Sequence, residues 1–269
     1  MLGAIIGDIV GSVYEFRSDK TKSFPLFSRG CAPTDDSLMT MAVGIACVSA
    51  NTDNEEEFKR TLCEMMREIG RQYPDVGYGG DFYDWLMSDD AGPSGSYGNG
   101  SAMRVSPTAY AARSLEDAER LARWSAEVTH DHPEGIRGAE AVAAAVFLAR
   151  EGRSRDEIRE YISWKYYYLD FTLDEIRPAY GFDVSCEGSV PQAIECFLEA
   201  RDFEDALRNA ISLGGDGDTI AAIAGAIAEA YFGIPDDIAE KAFEFMDETE
   251  QEYYGEYADE LYRMKPKKA

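Results

Sequence analysis

The sequence predicts an all-α protein that folds as a single compact multi-helix domain. Apolar residues recur at helical spacing through most of the 269 residues, and 45% of the chain is hydrophobic, which is enough for one packed core. Runs of alternating β-branched residues are scarce, and no strand–helix–strand rhythm is present. No repeat or low-complexity linker divides the chain, so we expect one domain over residues 1–269.

The first predicted helices are apolar. The N-terminal segment MLGAIIGDIVGSVYEF has no basic region before its apolar residues, so it predicts a core helix and not a signal peptide. Its Gly3, Gly7 and Gly11 recur every four residues, share one helix face and would let a neighbouring helix approach closely. A second buried helix is predicted from Ser37, and an amphipathic helix follows with its apolar stripe between Phe58 and Ile69.

The later segments continue the same pattern. Ser114 is predicted to cap one helix, and a further apolar helix ends at Gly152. The segment DTIAAIAGAIAEAYFG places its apolar side chains on one stripe and ends at Gly233, and the acidic C-terminal segment predicts one or two outer helices. Two long irregular stretches, Phe16–Thr34 and Gly77–Ser106, contain glycine and aromatic residues, so we expect binding loops there.

Charge and cysteine content exclude several classes of partner and site. The chain has 51 acidic and 26 basic residues, a net charge of −25, which repels duplex nucleic acid and anionic membrane surfaces. Five cysteines without a CxxC pair predict neither a disulfide framework nor a structural zinc site, and they favour the reducing cytoplasm. No apolar run reaches the roughly 18 residues of a membrane span. Nothing in the sequence demands more than a monomer.

Two segments place paired carboxylates just before apolar helices. The residues concerned are Thr34, Asp35 and Asp36 in PTDDS, and Asp216, Asp218 and Thr219 in GGDGDTIAAI. Helix capping is one explanation, because Asp and Thr are common N-caps and the helix dipole favours negative charge there. Capping accounts for one carboxylate per helix, whereas two beside a core repel each other unless a cation joins them. Oxygen ligands favour Mg²⁺, Mn²⁺ or Ca²⁺, and six of them suit one ion or two.

A glycine-rich stretch and two histidines are further binding candidates. GPSGSYGNGSAMRVSP follows no predicted strand and lacks Gly-Lys-Ser/Thr, so it is neither a dinucleotide fingerprint nor a P-loop. Its backbone N–H groups can approach a phosphate closely, and a simple flexible loop is the alternative explanation. His130 and His132 both lie in THDHPEG, where a third zinc ligand is missing and a substrate contact is the more useful hypothesis.

Five motifs occur in a characteristic order along the chain. They are GAIIGDIVGSVYEF, PTDDS, GSYGNGSAMR, THDHPEG and GGDGDTIAAIAG, and they extend from Gly3 to about Gly233. In content and order the sequence resembles the ADP-ribosylglycohydrolases, a group that includes the dinitrogenase reductase-activating glycohydrolase and the ADP-ribosylhydrolases. The resemblance implies an all-helical fold with a cleft that holds a binuclear centre of Mg²⁺ or Mn²⁺. It also implies hydrolysis of the glycosidic bond between ADP-ribose and a modified protein side chain or small conjugate.

The resemblance implies roles for residues of these motifs. The six oxygen ligands of the two aspartate segments would hold the metals. Glu15, Asp35 and Asp36 would be the catalytic residues that move protons between water and the leaving group. The substrate-binding residues would be Tyr78, Gly79, Gly80, Gly95, Ser96, Tyr97, Gly98, Asn99, Gly100 and His130. The pocket for the leaving group would be built from Arg17–Gly30 and Trp164–Glu187.

Two other functions compete with this one. A relative without catalysis would only bind ADP-ribose or serve a structural role, but the presence of all six ligands and of Glu15 favours an active enzyme. A helical Mg²⁺ enzyme acting on prenyl diphosphates would carry its aspartates within helices, whereas these aspartates are predicted in turns that precede helices.

Overall fold

The computed structural model describes residues 1–16 and 20–264, and these residues form helices without a β-strand. Within these two ranges, extended backbone pairs only at an isolated bridge between Gly98 and Ser185. The fifteen helices of the described residues are α1 (Leu2–Gly11), α2 (Asp35–Ser49), α3 (Glu55–Gln72), α4 (Gly80–Met87), α5 (Gly100–Met103), α6 (Ser106–Ala111), α7 (Leu115–Glu127), α8 (Pro133–Arg150), α9 (Arg155–Lys165), α10 (Leu173–Ile176), α11 (Cys186–Leu198), α12 (Phe203–Leu213), α13 (Gly217–Phe232), α14 (Asp236–Phe243) and α15 (Glu248–Arg263). The all-α prediction is confirmed.

The centre of the fold is the packed pair of α1 and α13. Every residue of α1 is buried, and α13 is buried from Gly217 to Glu229. The sequence predicted one buried apolar stripe on α13, whereas the structure buries every side of the helix over these residues. Other helices cover the sides that the stripe leaves. Helices α2, α8, α11 and α12 pack around the pair. The buried apolar side chains belong to one contiguous core.

Glycines set the distance between α1 and α13. A β-carbon at Gly7 would lie well under 3.0 Å from the carbonyl oxygen of Ala221, and one at Gly11 would lie as close to Cα of Asp218. Gly3 has an equally close backbone neighbour in α13. The close helix approach predicted from the glycine spacing is confirmed. It holds the C-terminal end of α1 against the N-terminal end of α13.

Several helix boundaries differ from the sequence prediction. Asp35 is the first residue of α2, and α13 begins at Gly217, so three of the four paired aspartates lie within first helical turns and not before them. The helix dipole accommodates negative charge in that turn. The stretch Gly77–Ser106 contains α4 and α5, which are too short to show a period in the sequence. Helix α11 begins at Cys186 and continues through Pro191.

The remaining expectations concern caps, the C-terminal segment and the cysteines. Ser114 caps α7 by accepting a hydrogen bond from the backbone N–H of Asp117, as predicted. The acidic segment forms two helices, and α15 is more than an outer layer, because its Tyr257 is buried against Gly44 of α2. All five cysteines are free. Among the helices of residues 1–16 and 20–264, none combines the length and apolar character of a membrane span.

Candidate active site

A cleft of about 560 Å³ opens where the end of α1 meets the first turns of α2 and α13. It brings together most of the predicted site residues from six separate segments of the chain. Those that line it are Glu15, Asp35, Asp36, Gly79, Gly80, Ser96, Gly98, Asn99, Gly100, His130, Asp216, Asp218 and Thr219. Its volume is in the range of sites for small molecules.

Four predicted site residues do not line this cleft. Thr34 turns its hydroxyl towards α1, as described below. Tyr78 packs against Phe82, with ring centroids 5.6 Å apart, and its hydroxyl is buried without a hydrogen-bond partner in the described structure. Gly95 and Tyr97 lie on the outer side of the glycine loop, where Tyr97 is 57% exposed. The predicted contacts of Gly95 and Tyr97 with the substrate therefore require that the ligand extend beyond the cleft or that the loop move towards it.

Asp8 is the acidic residue that the sequence analysis missed. It is fully buried in α1 and accepts hydrogen bonds from the backbone N–H groups of Thr34 at 2.8 Å and Ser37 at 3.1 Å. Both hydroxyls also donate to it, that of Thr34 at 2.6 Å. The sequence signal that could have identified Asp8 is its position as a single charge inside an apolar helix. A buried charge needs partners, so such a position indicates a polar site. Thr34 thus positions Asp8 in this structure, and its role as a metal ligand stays a prediction.

The carboxylates form two overlapping groups with one shared member. Oxygen atoms of Asp8, Asp36 and Asp218 lie within 4.8 Å of one another, and so do those of Glu15, Asp216 and Asp218. Helices α1, α2 and α13 supply the first group, so the glycine-mediated packing of α1 on α13 places its members together. A shared carboxylate can bridge two neighbouring cations.

Hydrogen bonding at the cleft favours a cation site over helix caps. Neither Thr34 nor Asp216 makes a side-chain capping hydrogen bond, so the capping explanation is wrong for these two N-cap residues. Asp216 instead accepts a hydrogen bond from Nδ2 of Asn99 at 2.7 Å. Asp36 accepts one from the Thr219 hydroxyl at 3.2 Å, while its Oδ1 is buried without a hydrogen-bond partner in the described structure. A buried, unpartnered carboxylate oxygen is unfavourable, and a cation would satisfy it.

The acidic groups raise one another's pKa values. Burial, together with neighbouring carboxylates, raises the pKa values of Asp36 and Asp218 well above the usual range. Burial and Asp8 raise the pKa of Asp35 to about 8, and burial and nearby carboxylates raise that of Glu15 to about 7. The folded, metal-free chain therefore holds protons that the unfolded chain releases above pH 4. Its stability falls as pH rises towards 8, and a cation that competes with these protons offsets the loss.

Apolar residues that were not singled out individually from the sequence form part of the cleft rim. Phe16 and Phe182 stack with ring centroids 5.9 Å apart, and both are exposed. Phe182 and Val184 come from the second segment predicted for the leaving-group pocket. From the first segment, Lys20–Gly30 supplies no residue to the described cleft, and residues 17–19 lie outside the described residues.

His130 lies in the cleft wall beside the glycine loop. A β-carbon at Gly100 would be 3.1 Å from its Nε2, so the absence of a side chain there lets the imidazole approach the loop. Burial and Arg104 lower the pKa of His130 to about 3, and the ring is therefore neutral. His132 has a different role, because its Nδ1 caps α8.

Comparison with known proteins agrees with this fold. A family model described as ADP-ribosylglycohydrolase matches residues 1–269. The chain belongs to the ADP-ribosylglycohydrolase family. This confirms the resemblance seen in the five motifs and removes the case for a prenyl-diphosphate enzyme.

Individual relatives of this chain are distant but match most of its length. The ADP-ribosylhydrolase ARH3 of Bos taurus is 29% identical over 87% of this chain and 84% of its own. The ADP-ribosylarginine hydrolase Tri1 of Pseudomonas putida (strain GB-1) is 27% identical over 87% of this chain and 70% of its own. A solved structure described as an ADP-ribosylglycohydrolase-related protein complex superimposes with a TM-score of 0.70 at 22% identity, covering 98% of this chain and 96% of that one. It shares the fold.

Proposed function

We propose that this chain is a divalent-cation-dependent hydrolase that releases ADP-ribose from a modified protein side chain or a small conjugate. Membership of the ADP-ribosylglycohydrolase family supports hydrolysis of an ADP-ribosyl linkage. The cation dependence is carried by one observation, the two carboxylate groups that share Asp218 and include the unpartnered buried oxygen of Asp36. So many acids around one cleft repel one another unless cations join them.

The residues that would hold the cations are the aspartates of the two carboxylate groups. Asp218 would be the shared ligand, with Asp8 and Asp36 on one side and Asp216 on the other, while Glu15 would lie beside the cations and stay available for proton transfer. A set made only of oxygen ligands favours Mg²⁺ or Mn²⁺. When bound, the ions would supply positive charge for the ribose hydroxyls and the diphosphate, which this acidic chain otherwise provides sparingly.

The chain's own residues account for the proton transfers. Cleavage at C1″ of the distal ribose passes through an oxocarbenium-like transition state, and it requires that water lose a proton and that the leaving group gain one. Glu15 lines the cleft, is half-buried and has a pKa of about 7, so it suits the role of acceptor for the water proton. Asp35 lines the same cleft outside both carboxylate groups, and we assign it the donor role to the leaving group. Asp36, which belongs to a carboxylate group, is assigned to the cations.

The glycine loop is the proposed site of the ADP-ribose diphosphate. Ser96, Gly98 and Gly100 line the cleft there, and glycines leave the backbone open to a ligand. Asn99 between them has a different task, because its side chain donates to Asp216 and its backbone N–H donates to the carbonyl of Val184 at 2.8 Å. The loop is thus tied to the acidic end of the cleft on one side and to its apolar rim on the other.

Turnover of defined ADP-ribosyl peptides tests the proposal. Arginine-linked and serine-linked peptides are incubated with the chain in Mg²⁺, in EDTA, and in EDTA followed by excess Mg²⁺. We expect release of ADP-ribose from one linkage in Mg²⁺, none in EDTA, and recovery when Mg²⁺ is restored. Equal turnover in EDTA and Mg²⁺ would refute the cation dependence. Binding of ADP-ribose without turnover of either peptide would instead favour an inactive relative.

A further inference from the structure

Arg104 is a buried cation beside the cleft. It is 1% exposed, and no carboxylate forms an ion pair with it in the part of the chain that the structure describes. Its Nη2 donates to the carbonyl oxygen of Ser125 at 3.0 Å and to the hydroxyl oxygen of Thr129 at 2.7 Å, while Nε has no hydrogen-bond partner among the described residues. A buried guanidinium without a counter-charge is costly, so its position needs an explanation.

Thr129 links this guanidinium to the imidazole of His130. Its Oγ1 lies 2.7 Å from Nδ1 of His130 and makes no third hydrogen bond in the described structure. Oγ1 accepts from Arg104, which carries donors only, so the single hydroxyl hydrogen is free to donate to Nδ1. If Nδ1 carried the imidazole hydrogen instead, two donors would point at Oγ1 and the buried hydroxyl hydrogen would have no acceptor. The network is satisfied only when Nδ1 is unprotonated.

We propose that Arg104 and Thr129 are positioning residues that hold His130 as a neutral imidazole with its hydrogen on Nε2, ready to donate to a ligand oxygen in the cleft. Nε2 is the ring atom that faces the glycine loop, since β-carbons at Gly98 and Gly100 would lie 3.6 and 3.1 Å from it. Repulsion from the guanidinium disfavours a charged imidazolium at this position. The identity of the ligand as ADP-ribose rests on the proposed function, whereas the tautomer does not.

Long-range ¹H–¹⁵N NMR of the full chain tests the tautomer directly. The chain has two histidines, so the variant His132→Asn has imidazole signals from His130 only. Asparagine keeps an N-cap acceptor for α8. At pH 7 we expect a pyridine-type shift for Nδ1 and a pyrrole-type shift for Nε2. The opposite pattern, or the shifts of a charged ring, would overturn the proposal.

Two substitutions at Thr129 test the positioning role. Thr129→Val keeps the shape and removes the hydroxyl, so we expect a mixture of tautomers and a dissociation constant for ADP-ribose that is about tenfold higher. Thr129→Ser should restore both the Nε2–H tautomer and the affinity. The matched control is Thr108→Val, a buried threonine whose hydroxyl donates to the carbonyl of Val105 away from His130.

The outcomes separate this proposal from the proposed function. An unchanged tautomer in Thr129→Val would overturn the positioning role, as would a loss of affinity in Thr108→Val equal to that in Thr129→Val. A wild-type chain that shows the Nε2–H tautomer but binds no ADP-ribose would support the positioning of His130 and count against the proposed function.

Discussion

Replacing Asp218 with asparagine is expected to lower kcat/KM in saturating Mg²⁺ by at least about a thousandfold, equivalent to about 4 kcal/mol of transition-state stabilisation. Asp218 is the carboxylate that belongs to both acidic groups, so this one change removes charge and a ligand oxygen from both. Asparagine has nearly the same shape, which separates the loss of charge from a loss of packing. Turnover of the ADP-ribosyl peptide that the wild-type chain cleaves measures the effect.

The same variant should respond to EDTA in a way that unfolding cannot mimic. Burial and Asp216 raise the pKa of Asp218, so at pH 8 the wild-type carboxylate destabilises the metal-free chain. In EDTA, the Asp218→Asn variant should therefore have a higher Tm than the wild type. Adding Mg²⁺ should raise the Tm of the wild type but not that of the variant. That gain corresponds to about 2.7 kcal/mol at an ion concentration of 100 Kd.

Asp237→Asn is the matched control for this variant. Asp237 is an exposed aspartate in the first turn of α14 and does not line the described cleft, and we expect its replacement to leave turnover and both Tm values unchanged. Retention of more than a tenth of wild-type turnover by Asp218→Asn would contradict the role of Asp218 as a shared ligand. A fall in its Tm in both buffers would show that the loss of activity comes from misfolding.

Gly7→Ala should lower the free energy of unfolding by about 3 kcal/mol or more. The added methyl group would lie well under 3.0 Å from the carbonyl oxygen of Ala221, and α1 would have to move away from α13 to make room. Alanine is otherwise the better helix former by about 1 kcal/mol, so a net loss reports the steric clash. Urea denaturation in Mg²⁺ measures it, and Mg²⁺ affinity should fall too, because α1 carries Asp8.

Gly255→Ala makes the same substitution where there is space. Gly255 is exposed in α15, and a β-carbon there would meet no atom within 4 Å. We expect this variant to be as stable as the wild type or more stable, by up to about 1 kcal/mol. If Gly7→Ala were equally stable, the close packing of α1 on α13 would not be what brings the carboxylates together.

Helix periodicity and glycine spacing carried most of the fold prediction. The close contact of α1 with α13 followed from three glycines four residues apart, because residues at this spacing lie on the same face of a helix. The sequence could not show that α13 is covered on all sides, since burial depends on which helices pack around it. Short helices such as α4 were not predicted for a different reason, because a helix of fewer than three turns shows little periodicity in its sequence.

The acidic residues of the site were predictable from the sequence, and the residues that position His130 were not. Paired aspartates beside apolar helices are visible in the sequence, because a charge next to a core is unusual. Asp8 escaped because one acidic residue in a helix looks like a boundary or a surface position. Arg104 and Thr129 escaped because their contacts join α5 to the end of α7, and only the folded chain brings those segments together.

Calorimetric titration of Mg²⁺ into the metal-free chain tests the central claim, that cations join the two carboxylate groups. At pH 8 we expect saturable binding of two ions per chain, with release of the protons that the raised pKa values of Asp35 and Glu15 retain. At pH 5.5 these protons compete more strongly and the affinity should fall. An active chain that binds no Mg²⁺ at pH 8, or an Asp218→Asn variant that binds it as tightly as the wild type, would contradict the account.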